Sequence, residues 1–186
     1  MKNLIFIIII ITSISSSAQN NSNVWTTPSL LIRLSTNSHL INYYISQNNI
    51  TQASIEEIKQ KKDNQNIIQS FKSHYSESLI YFFYSDDSSD IKEGNLDKLF
   101  NPEGLQITKH EQEALKKENY MIGYFGLTEG NLNFHAFILN DRQLKPLTKP
   151  NIRFVRTYRT MGLFKRKNSK VISILAKKIN FKKLRK

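Results

Sequence analysis

The side chains able to do chemistry in this chain are few and scattered. Four histidines are present, His39, His74, His110 and His135. No two are spaced as H-x-x-x-H or H-E-x-x-H, the pattern that turns two imidazoles toward one metal ion. His110 falls in the first turn of a capped helix and reads as a surface residue. His135 is the better candidate. It lies in Leu132–Asn140, a β-prone run separated from another, Tyr120–Thr128, by Glu129-Gly130-Asn131. This pattern predicts a hairpin with a two-residue type II′ turn at Gly130 and Asn131. The register then pairs Leu127 with Phe134, Phe125 with Ala136 and Gly123 with Ile138. On the opposite face it sets Tyr124 against Phe137 and Gly126 against His135. An imidazole above a glycine, flanked by Tyr124 and Phe137, could accept a proton or hold a ligand. His135 and Tyr124 are thus the candidate ligand-binding pair. The weightier reading of His135 is a packed histidine with a local hydrogen bond.

The remaining reactive types lack the spacing their chemistry needs. Asp86, Asp87, Asp90 and Glu93 do not follow the ligand positions of an EF-hand loop and lack its central glycine, so they read as a solvated acidic loop. Serines are numerous, but none sits in a G-x-S-x-G turn. The chain has no cysteine, which excludes disulfides, a thiolate nucleophile and cysteine-based metal sites. No catalytic residue, cofactor or metal site is assigned, and no enzyme class is favoured.

Charge is the feature that asks for a function. Residues 19–150 carry 13 Lys or Arg against 15 Asp or Glu, whereas residues 151–186 carry 13 basic residues and no acidic one. Arg153, Arg156 and Arg159 lie on or just after a predicted strand, and Lys165, Arg166 and Lys167 follow. Lys177, Lys178, Lys182 and Lys183 are interleaved with apolar residues. Val171, Ile172, Leu175 and Ile179 cluster on a helical wheel, yet Lys170-Val-Ile-Ser-Ile-Leu175 would serve equally as a strand. An uncompensated field of this kind attracts anionic partners.

Positioning these residues falls to a small domain. Lys2, the apolar run Leu4–Ile11 and the small residues ending at Ala18 have the layout of a secretory signal peptide covering 1–18. Residues 19–28 are Asn- and Ser-rich and read as a disordered lead-in. Leu30, Leu34, Ile41 and Ile45 recur at helical spacing and predict a helix. Ser54-Ile-Glu-Glu57 and Thr108-Lys-His-Glu111 have the form of capping boxes opening two more. Leu79–Tyr84 is apolar at both parities and predicts a central strand. With the hairpin and a strand over Ile152–Tyr158, the expectation is an α+β domain over 29–160. It has a largely antiparallel sheet of about four strands and two to three helices, followed by a basic tail or amphipathic segment over 161–186.

The signal-peptide layout points to an exported protein, periplasmic, secreted or at the cell surface, and the absence of cysteine fits a bacterial one. Its basic end would dock on anionic lipid, acidic glycan or an acidic protein. The alternative is a small ligand-binding domain or enzyme with a pocket near His135. Nucleic acid is disfavoured by the export signal, and no second apolar stretch is long enough to span a membrane.

Overall fold

Leu30, Leu31 and Ile32 are all buried, and a run buried at both parities is the signature of an inner strand covered on two faces. In the computed structural model, which describes residues 27–129, 133–147, 152–158 and 164–184, this run is β1 (Ser29–Leu34) and not the expected helix. The helical spacing from Leu30 to Ile45 joins two elements. The polar residues Ser35 to Asn37 turn the chain from β1 into α1 (Ser38–Ser46). The next helix, α2 (Ile50–His74), starts one turn before the expected capping box. Its cap is Asn49, whose side chain accepts from the Gln52 N–H at 3.2 Å.

The chain continues through β2 (Ile80–Tyr84), a 3₁₀ turn at Ser85–Asp87, α3 (Ser88–Glu93) and α4 (Lys109–Lys117). It ends with β3 (Tyr120–Leu127), β4 (His135–Asn140), β5 (Phe154–Arg156) and α5 (Asn168–Leu184). The capping box of α4 forms as the sequence predicts, with Thr108 and Glu111 satisfying each other's backbone N–H groups.

The fold is α+β, but the sheet is five-stranded and mixed, in the order β2-β1-β3-β4-β5. β1 is parallel to both β2 and β3, while β3, β4 and β5 are antiparallel in turn. The parallel half arises because helices α1 to α4 supply the crossovers that parallel neighbours require. β2, expected in the centre, lies at one end of the sheet. Its outer edge is shielded where Phe82 and Phe100 exchange both backbone hydrogen bonds, at 2.8 and 3.0 Å.

Each face of the sheet buries its own core. On one, Leu30, Ile32, Leu34, Phe82, Phe137, Leu139 and Val155 meet Phe71 and Tyr75 of the α2 end and Val171, Ile172, Leu175 and Ile179 of α5. The segment from 168 is therefore helix, not strand, and its apolar stripe is part of the domain core. The other core joins Leu31, Tyr81, Phe83, Tyr120 and Ile122 to Ile91, Leu96, Leu99, Ile107 and Leu115 around α3 and α4.

The hairpin register differs by one residue from the expected one: Phe125 pairs with Phe137, Gly126 with Ala136 and Leu127 with His135. Thr128 closes the hairpin in this register. Its N–H donates to the Phe134 carbonyl at 2.9 Å while its hydroxyl accepts from the Phe134 N–H at 3.0 Å. This side-chain closure makes a longer loop than a two-residue turn and turns β4 over.

Candidate anion-binding edge

β1, β2, β3 and β5 run in one direction, so their carboxyl ends share one edge of the sheet. Beyond β1 the chain is held by side chains on three sides. Asn64 of α2 donates to the Ser35 carbonyl at 2.8 Å, and Asn37 donates to Glu56 at 2.9 Å. The Thr36 N–H donates to the Ser85 hydroxyl at 3.1 Å. Thr36 also donates to Asp86 at 2.6 Å and Ser38 does so at 3.1 Å. These bonds, that from Thr36 foremost, hold the Asp86 carboxyl below the usual carboxylate range.

Above this edge α1 packs along the first turns of α2. The turns of α2 before Asn64 run roughly 20 Å along the helix axis, so the pair projects past the strand ends. No residue of α1 is buried. Leu40, Tyr43 and Ile45 of α1 and Ile50, Ile55 and Ile58 of α2 are all exposed, Ile58 the most at 65%. These six exposed apolar side chains all belong to this helical pair.

Part of the basic set lies at the same edge, while Arg153 precedes β5 at its other end. Arg156 ends β5, its guanidinium 3.7 Å over the Phe134 ring. Arg166 donates to the Arg156 carbonyl at 2.7 Å and the Tyr158 carbonyl at 3.2 Å, and so ties the entry of α5 to the end of β5. Arg153, Arg156, Lys165, Lys167, Lys177 and Lys178 are exposed, and Arg166 is half-buried. Three ion pairs occur among the described residues, at Lys59, Lys61 and Lys72, and none involves a cation after residue 150. Arg159 lies outside the described residues. Lys182 and Lys183 belong to the last turns of α5.

The expected His135 and Tyr124 pair is not brought together. The register places His135 opposite Leu127 and Tyr124 opposite Ile138, on opposite faces of the sheet. His135 is exposed and its ring lies 5.7 Å from that of Tyr158. Its backbone carbonyl accepts from both the N–H and the hydroxyl of Thr157 at 2.8 Å, which fixes the strand more than the imidazole.

Tyr124 has a different neighbour, one that sequence reasoning passed over. Arg33 of β1 lies beside it, guanidinium carbon 5.7 Å from the ring centroid. A lone arginine within Leu30-Leu-Ile-Arg-Leu34 was the available signal, obscured by reading that run as a helix. Among the described residues no three His, Asp or Glu are grouped to hold a metal ion, and no helix is long and apolar enough to cross a membrane. No protein-family model matches the chain, and neither the curated proteins nor the solved structures yielded a match.

Proposed function

We propose that this chain is an exported, non-enzymatic protein that docks on anionic surfaces through its basic C-terminal region, with anionic lipid the favoured partner over acidic glycan or protein. The observation carrying this reading is that the exposed cations Arg153, Arg156, Lys165, Lys167, Lys177 and Lys178 have no carboxylate partner among the described residues. Their field is available to a partner instead of being neutralised within the fold. Lipid is favoured by the apolar projection at the same edge: Ile45 and Ile50 flank the turn between α1 and α2 and are exposed. A glycan offers nothing for such side chains to enter, whereas the interfacial zone of a bilayer does.

Truncation cannot test this, because removing α5 would also remove Val171, Ile172, Leu175 and Ile179 from the core. Charge reversal leaves the core intact. The variant Lys165→Glu, Lys167→Glu, Lys177→Glu, Lys178→Glu should keep its circular dichroism and sediment far less with vesicles of anionic lipid. A basic residue near such a membrane contributes on the order of 1 kcal/mol, so a loss of at least tenfold is expected. Neutral vesicles should bind both proteins weakly, and raising salt should narrow the difference as the Debye length falls. Equal binding by the folded variant and the parent would overturn the reading.

A further inference from the structure

A second binding feature lies on the sheet face away from α2 and α5. β1 and β3 are parallel neighbours, but their connections leave in opposite directions, β1 toward β2 and β3 toward β4. The carboxyl ends of the two strands therefore lie side by side, with the chain turning away from each. Arg33, next to the last residue of β1, sits at this place with Tyr124 beside it. The Arg33 side chain is half-buried and its Nε is buried with no hydrogen-bond partner. Among the described residues its guanidinium has no carboxylate and no carbonyl acceptor, only the Tyr124 ring.

A partly buried charge left in that condition costs free energy, which an incoming anion offsets. The surroundings select what kind. Register places the buried Phe83 on one side of Arg33, and on the other the row runs through Tyr124, the buried Ile138 and Phe154, so the surroundings are apolar and Tyr124 and Phe154 are their partly exposed members. The next row holds Gly126 opposite Ala136, which adds almost no side-chain volume. The Tyr124 ring leans into the space this leaves: a Cβ on Gly126 would meet Tyr124 Cε2 at 2.8 Å. Tyr124 is itself half-exposed and presents a flat aromatic surface.

We propose that Arg33 and Tyr124 on this sheet face bind an oxyanion, carboxylate or phosphate, carried on a flat apolar body. The Arg33 fork takes two oxygens of the anion, and the body lies against Tyr124. The site goes beyond surface docking, since it depends on one guanidinium within the sheet face and works in free solution.

The test uses the full mature chain with benzoate, phenyl phosphate and inorganic phosphate as probes, followed by thermal shift and calorimetry. The parent should respond saturably to benzoate or phenyl phosphate, and at least several-fold more weakly to inorganic phosphate. Arg33→Met should fold, melt no lower than the parent, and lose the response by at least tenfold. Arg33→Lys keeps the charge but not the fork and should fall between them, and it is the variant to read if Arg33→Met does not fold. A parallel arm with anionic vesicles identifies the source of the anion. Vesicle binding unchanged by Arg33→Met together with a lost probe response assigns a soluble ligand, and vesicle binding weakened by Arg33→Met assigns a lipid headgroup. If folded Arg33→Met matches the parent with every probe and with vesicles, the proposal is wrong.

Discussion

Two arginines on one face of the sheet lie over tyrosine rings and end in opposite circumstances. Arg142 sits 4.4 Å over Tyr120, and its terminal nitrogens reach the carbonyls of Leu115 and Lys116 at 3.3 and 3.4 Å. Those carbonyls belong to the end of α4, where unpaired acceptors and the negative end of the helix dipole favour a cation. Arg33 lies over Tyr124 with no such acceptor among the described residues. Both arginines bury an Nε without a partner, so the difference rests on the rest of the guanidinium and on what covers each end. The Tyr120 end is roofed by α3, α4 and the chain between them, whereas Tyr124 and Arg33 belong to neither buried core. A guanidinium stacked on tyrosine is a structural clamp where a helix end awaits it and an available donor where none does.

Opening the roofed end should have the largest effect. Leu115→Ala removes a fully packed side chain of α4 and should cost about 2–4 kcal/mol in urea unfolding. A loss below about 1 kcal/mol would mean that α4 is not what closes that end. The arginines themselves come next. Arg142→Met should lower stability by about 1–2 kcal/mol by stripping partners from the end of α4, while Arg33→Met should lower it not at all. Thermal melts of the two variants side by side decide the matter, and equal losses would erase the distinction. The smallest change sharpens the open end alone. Gly126→Ala must push the Tyr124 ring aside, and should alter stability by no more than about 1 kcal/mol while weakening the response to phenyl phosphate. An unchanged response would show that the ring is not part of the site.

Some patterns a few residues long hold in the structure and others do not, and relations between distant segments are the least legible. β2, the two hairpin strands and the capping box at Thr108 form from such patterns, although β2 is at the end of the sheet and not its centre, and Ser54-Ile-Glu-Glu57 does not open α2. β1 was misread because Leu30, Leu34, Ile41 and Ile45 match helical spacing across what is really a strand, a turn and a short helix. The position of β1 between β2 and β3 depends on partners far along the chain, which no local window contains. The register of β4 differs from that of a two-residue turn, and the Thr128 hydroxyl that accepts from the Phe134 N–H beside it is not a signal a turn pattern contains. The apolar stripe of α5 was legible, but its docking beside α2 was not, so its charge looked like that of a detached tail. Arg33 escaped notice for the same reason as β1: an arginine on a helix is unremarkable, whereas one inside an otherwise buried strand demands a partner.

The order of elements along the chain also bears on when it can fold. Ile32 of β1 must wait for Gly123 of β3 before its second edge is paired, and closing so long a loop costs entropy that contacts offset only afterwards. The core on the α2 side waits longer still, since α5 is the last element to be delivered. A chain emerging with its N-terminus first therefore has its inner strand early and neither of the pieces that seal it. Its two cores can be completed only when those later pieces arrive.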